Sequence, residues 1–239
     1  MAIPKTLGTD GNDTLRGDDL DNWLLGRRGD DTLLGLGGDD RLDGGVGKDL
    51  LNGGAGHDYL VGGGGDDTYI VGEGDTVLET WNDGRDTIIA GADHSMEADI
   101  ETMILVGPVN GDGNWEDNTI IGSDAANEIN ASGGNDRIVG GRGNDILTGY
   151  AGSDTFAFTS GFGHDIITDF QIEGADHDTL EFRGEFAPGF PNHDMMVEVS
   201  KDTPQGVLVQ LEWWGNSILI EGVTLADLRA HPEAFAFLG

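Results

Sequence analysis

Residues 8–70 read GTDGNDTLR, GDDLDNWLL, GRRGDDTLL, GLGGDDRLD, GGVGKDLLN, GGAGHDYLV and GGGGDDTYI, seven nonapeptides in one unbroken register. A second block keeps the period, with GNWEDNTII from Gly113, GSDAANEIN from Gly122, ASGGNDRIV from Ala131, GGRGNDILT from Gly140 and GYAGSDTFA from Gly149. Two columns of this array decide the fold. The sixth position is an oxygen donor in every copy: Asp13, Asn22, Asp31, Asp40, Asp49, Asp58 and Asp67, then Asn118, Asn127, Asp136, Asp145 and Asp154. The eighth is apolar in every copy, from Leu15 to Phe156, although hydrophobic residues make up only 37% of the chain. A disordered acidic linker has no reason to hold such a register, whereas a stacked repeat must.

Three residues around the apolar position form a short strand with one side chain pointing inward. The six before it form a turn, where glycine permits positive φ and close backbone approach. Two nonapeptides complete one coil of a flattened solenoid, so equivalent turns stand 18 residues apart. The predicted fold class is all-β: a parallel β-roll (β-solenoid) of nonapeptide repeats with a C-terminal β cap and a short terminal helix. Residues 1–70 form the first block and 113–157 the second. Residues 71–112, with strand-like pieces at 76–78, 87–90 and 102–106, read as wider coils of one solenoid; two independent rolls are the alternative. Residues 158–239 lose the period and alternate, as at 207–211, which reads as an antiparallel cap over the last edge.

Charge supplies the chemistry. Asp and Glu number 45 against 12 Lys and Arg, a formal net charge of -33. Stacking brings sixth-position carboxylates ~5 Å apart, where a pair repels by roughly 1–3 kcal/mol. A divalent cation between turns reverses that sign. Hard oxygen donors in a flexible turn suit Ca²⁺, while Mg²⁺ demands tighter octahedral geometry and holds its water. Pairing each repeat with the next but one gives up to eight sites. The pairs Asp31/Asp49, Asp40/Asp58, Asp49/Asp67 and Asp136/Asp154 join two carboxylates across glycine-rich turns and are the strongest. Asn22, Asn118 and Asn127 each lack a charge and weaken theirs. Eight Ca²⁺ carry sixteen charges and would take the chain from -33 to -17.

The same charge excludes a nucleic-acid partner and an anionic membrane surface, both of which need a basic face. No run approaches the ~18 apolar residues of a membrane helix. Absence of cysteine excludes disulfides and thiolate zinc sites. There is no HExxH and no GxSxG, and the six histidines are scattered, so no enzyme is expected. The fifth position reads as variable, with His57 there as a surface side chain. The Trp213-Trp214 pair reads as cap packing in preference to a sugar platform.

GGAGHDYLV from Gly53 and GGRGNDILT from Gly140 resemble the hemolysin-type (RTX) calcium-binding repeat, whose proteins bacteria secrete through type I systems. The resemblance implies a β-roll, Ca²⁺ held by the sixth-position residues together with turn carbonyls, an extracellular location and folding after export. Residues 154–182 are similar to the segment that closes many such arrays, with Asp165 and Asp169 expected to complete the last turn. The tail NSILIEGVTLADLRAHPEAFAFLG is similar to the uncleaved secretion region of these proteins, a strand at 218–220 followed by an amphipathic helix after Thr224. The opening Met-Ala-Ile-Pro-Lys leads into no apolar stretch, so no Sec-type leader is expected. The function expected is calcium binding with calcium-driven folding in a secreted structural or adhesion protein. Its partners would be calcium ions, the type I export machinery and a cell-surface or matrix polysaccharide. The alternative is the export and folding module of a larger secreted protease or lipase.

Overall fold

One apolar side chain every nine residues can be buried only if strands stack in register, each covering the next. The computed structural model, which describes residues 5–79, 84–183, 192–211 and 215–238, shows this stacking. Trp213 and Trp214 lie outside the described residues. Contacts divide the chain into Met1–Val106 and Gly107–Gly239.

The first unit contains β1 (Lys5–Leu7), β2 (Thr14–Arg16), β3 (Trp23–Arg28), β4 (Thr32–Gly37), β5 (Arg41–Val46), β6 (Leu50–Ala55), β7 (Tyr59–Gly64), β8 (Thr68–Val71), β9 (Thr76–Leu78), β10 (Thr87–Ala90), β11 (His94–Ser95) and β12 (Thr102–Leu105). Odd strands run parallel in the order β1-β3-β5-β7-β9, and even strands in the order β2-β4-β6-β8-β10-β12. Leu33 lies between Leu15 and Leu51, and Leu42 between Leu24 and Leu60, so neighbours are 18 residues apart as the repeat requires. Leu24, Leu33, Leu42, Leu51, Leu60 and Tyr69 are completely buried between the two sheets. Val77, Ile88 and Met103 fill the same inward position after the period has lapsed.

The strands differ from expectation in length. β3 to β7 run six residues, because the turn itself pairs with the coil above: Arg27 stands opposite Gly45 and Leu36 opposite Gly54. On one face the seventh column stacks Lys5, Trp23, Arg41 and Tyr59. The Lys5 ammonium lies 3.9 Å from the Trp23 ring centre, and Arg41 lies 5.4 Å and 5.1 Å from the Trp23 and Tyr59 rings.

The second unit contains β13 (Gly111–Asp112), β14 (Thr119–Ile121), β15 (Glu128–Asn130), β16 (Arg137–Val139), β17 (Ile146–Thr148), β18 (Thr155–Thr159), β19 (His164–Ile167), β20 (Thr179–Arg183), α1 (His193–Glu198), β21 (Ser200–Asp202), β22 (Gly206–Leu211), β23 (Asn216–Glu221), α2 (Leu225–Ala230) and β24 (Phe235–Leu238). Its sheets order as β14-β16-β18-β20-β24 and β13-β15-β17-β19-β23-β22-β21. The cap is therefore only partly antiparallel. β19 with β23, β18 with β20 and β20 with β24 remain parallel, and β22 alone runs antiparallel to its neighbours β21 and β23. Larger side chains fill this end. Phe158 packs on Phe162 and Phe182, and Phe182 stacks on Phe237 of the final strand. α2 starts where Thr224 and Asp227 exchange side-chain and backbone hydrogen bonds, a reciprocal cap. α1, which the sequence pattern does not signal, is capped by Asn192, whose side chain accepts from the Met195 N–H. Among the described residues no helix is long and apolar enough to cross a membrane.

Candidate metal centre

Stacking turns the sixth column into a ladder. The backbone N–H of Asp13 donates to Asp31 Oδ1 at 2.7 Å, Asp31 to Asp49 at 2.7 Å and Asp49 to Asp67 at 2.8 Å. Alternate repeats do the same from Asn22 through Asp40 to Asp58. In the second unit Asn118 leads to Asp136 and Asp154, and Asn127 to Asp145 and Asp165. Each rung uses one carboxylate oxygen. The other, Oδ2, is buried and makes no hydrogen bond at Asp31, Asp40, Asp49, Asp58, Asp67, Asp136, Asp145, Asp154 and Asp165. Such an atom bears the desolvation cost without a partner.

At Asp31, Asp40, Asp49, Asp58, Asp67, Asp145 and Asp154 this oxygen faces the glycine that opens its own turn. A Cβ on Gly26 would sit 2.3 Å from Asp31 Oδ2 and 2.6 Å from the Gly44 carbonyl oxygen of the next coil. Glycine is thus required there by close approach, and what it makes room for is a carboxylate oxygen beside a carbonyl oxygen.

Two kinds of turn occur. In repeats three to seven and ten to twelve the second residue has positive φ: Arg27, Leu36, Gly45, Gly54, Gly63, Ser132, Gly141 and Tyr150. These open turns carry the orphaned Oδ2 atoms. In the two repeats that begin each block the sixth residue instead folds back on its own turn. Asp13 accepts from the Thr9 N–H, Asn22 from Asp18, Asn118 from Asn114 and Asn127 from Ser123. The three asparagines also spend their amide N–H groups, Asn22 on Asp18 and Asn118 on Asn114 within their own turns, and Asn127 on the Gly107 and Val109 carbonyls of the preceding coil. A closed turn satisfies itself with hydrogen bonds; an open one does not.

Both residues named beyond the repeats reach the array, in different roles. Asp165 is a ladder rung. Asp169 accepts from the Gly149 and Tyr150 N–H groups of the last repeat's turn, so it caps that turn from outside.

The ladder also includes residues that the nine-residue step passed over. Asp58 donates to Asp75, Asp67 to Asp86, Asp86 to Glu101 and Asp154 to Asp178, at separations of 17, 19, 15 and 24 residues. Each precedes a threonine and an apolar residue, as in Asp75-Thr76-Val77 and Asp178-Thr179-Leu180, the triplet that also appears at Asp31-Thr32-Leu33. That triplet was the available signal. The fifth column, read as variable, forms a second outer ladder: Asp30 Oδ1 accepts from the Lys48 N–H and Asp39 Oδ1 from the His57 N–H, each at 3.0 Å.

Burial pushes the inner carboxyls upward. Asp67 and Asp165 are raised to about 8, Asp136 and Asp178 to about 7, and Asp49, Asp58, Asp86 and Asp145 to about 6, with desolvation the leading cause throughout. Asp13 is held below the usual range by its Thr9 hydrogen bonds. Buried oxygen atoms short of a partner, next to turn carbonyls and without nitrogen or sulfur donors, fit Ca²⁺.

No curated protein matches the chain. Among solved structures it is similar to the extracellular lipase LipA from Serratia marcescens, at 19% identity and a TM-score of 0.38; the match covers 99% of this chain and 40% of that one. The RTX calcium-binding nonapeptide repeat, in units of four copies, matches residues 7–42, 16–51, 43–78, 112–147 and 130–167. Those segments take in more than half of the sequence, and the chain accordingly belongs to the RTX family of calcium-binding nonapeptide repeat proteins.

Proposed function

We propose that calcium bridges successive open turns through their sixth-position aspartates and that this binding drives folding once the chain has left the cell. The observation that carries the reading is the row of buried Oδ2 atoms without hydrogen bonds, found in open turns and replaced by local hydrogen bonds in closed ones. Open turns face open turns at Asp31/Asp49, Asp40/Asp58, Asp49/Asp67 and Asp136/Asp154, and these hold the strongest sites. Asp145/Asp165 has the same pair of orphaned oxygens. Pairs containing Asp13, Asn22, Asn118 or Asn127 bind weakly, because one partner has already spent its donor atoms. Asp169 supports the last turn and holds no ion by itself.

In a cytosol low in calcium the like-charged ladders keep the chain extended. Outside, binding free energy becomes folding free energy. Affinities of about 10⁻⁴–10⁻³ M, usual for extracellular calcium modules, suit such a switch. In this reading the protein is a secreted structural or adhesion component. Far-UV circular dichroism of the EDTA-treated chain tests it. The β signal should rise cooperatively with Ca²⁺ and hardly at all with Mg²⁺. A chain with full β structure in EDTA at neutral pH would refute calcium-driven folding.

A further inference from the structure

The coil that follows the seventh repeat departs from the glycine rule. Leu78 of β9 stands opposite Val61 of β7, so Glu79 takes the place that Gly62 holds one coil earlier. A long acidic side chain therefore enters a turn where the repeats hold glycine or, at Ala131, alanine. It goes inward: Glu79 is 8% exposed, Asp67 1% and Asp86 3%, and one carboxylate oxygen of each lies within 4.8 Å of the others. Tyr69, wholly buried, donates its hydroxyl to Glu79 Oε1.

A second observation points to a ligand. Asp67 Oδ1 is used by the Asp49 N–H, but Asp67 Oδ2 is buried with no hydrogen bond. The place a Cβ on Gly62 would occupy lies 2.3 Å from that oxygen and 2.1 Å from the Tyr69 hydroxyl. The orphaned atom thus faces the Tyr69–Glu79 pair. Three carboxylates this close cannot all remain charged and buried unless a cation or shared protons compensate them.

We infer that Asp67, Glu79 and Asp86 form a calcium site of separate construction, with Tyr69 orienting Glu79. The donors are all oxygen, the class a hard divalent ion takes. Asp67 also serves the repeat pair Asp49/Asp67, whereas Glu79 and Asp86 belong to no nonapeptide, so the site adds an ion to those proposed for the repeats and rests on that reading for the identity of the ion. Its effect is to seal the first array where the glycine turns stop.

Native mass spectrometry of the full chain, titrated with Ca²⁺ alone, provides the test. Glu79→Gln keeps an acceptor for the Tyr69 hydroxyl, and Asp86→Asn keeps the Oδ1 that accepts from Asp67. Each variant should bind one ion fewer than the unsubstituted chain at saturation, with the remaining ions retained. An unchanged count in a variant that regains its β signal would overturn the site and assign the cluster to shared protons, leaving the repeat sites standing. An unsubstituted chain that bound no calcium would refute both readings. Should one variant fail to fold in calcium, the other decides.

Discussion

At the scale of single residues, function divides between the two oxygens of one carboxylate. Oδ1 belongs to the fold, because it accepts the N–H of the preceding coil; Oδ2 is what calcium would take. Asparagine keeps the first and loses the second, which makes it a selective probe. Asp49 serves two proposed pairs, so Asp49→Asn should reduce the bound-calcium count and raise the calcium needed for half-folding by at least about tenfold, corresponding to the ~1.5–3 kcal/mol of an interaction with a charged group. Asp13→Asn lies in a closed turn and should leave the count unchanged. Equal losses in the two variants would undo the distinction between open and closed turns. Columns six and eight were legible because identical chemistry recurred at every ninth residue. Column five was less so: Asn12, Asp21, Asp30 and Asp39 are acceptors in it, but Lys48 and His57 interrupt the run and join the ladder only as backbone N–H donors, which no sequence displays. Asp75, Asp86, Glu101 and Asp178 were passed over because coils of other lengths break the count while the ladder persists.

At the scale of the element, each ladder behaves as one titrating unit. Burial raises its inner carboxyls above their ordinary value of 3.8 in the folded chain, Asp49 and Asp58 to about 6 and Asp67 and Asp165 to about 8. The folded state therefore holds more protons than the unfolded one between those limits, and its metal-free stability is full below about pH 4 and lost as pH rises through 6 to 8. Calcium needs the deprotonated form, so its affinity moves the opposite way. In EDTA the β signal should be greater at pH 4 than at pH 8, and the calcium midpoint should climb as pH falls from 8 to 6. A midpoint indifferent to pH would show that these carboxyls are not the ligands. Strand positions were readable wherever an apolar residue followed a turn, including 76–78 and 87–90. Strand direction in the cap was not. Alternation at 207–211 reports that one face is buried, but whether a neighbour runs parallel depends on the path of the intervening chain. The stack of Lys5, Trp23, Arg41 and Tyr59 was likewise hidden, because its members meet only once the 18-residue register is built.

At the scale of the molecule, a chain carrying -33 charges gains order by making its repulsions local and identical, so that one kind of ion can answer many of them. That local, repeated construction makes each coil energetically dependent mainly on its neighbours. The regular register then has a mechanical meaning. Under tension applied at its two ends, a unit should yield coil by coil, each step releasing 18 residues, about 60 Å of contour at roughly 3.3–3.6 Å per residue. The coils spanning Asp145 to Asp165 and Asp154 to Asp178 should give longer steps, in proportion to their 20 and 24 residues. Force spectroscopy would read these lengths as a sawtooth, with rupture forces that drop when calcium is removed; a single all-at-once rupture would contradict the coil-by-coil picture. A roll of this kind is a spring that calcium stiffens, graduated in units set by its own turns.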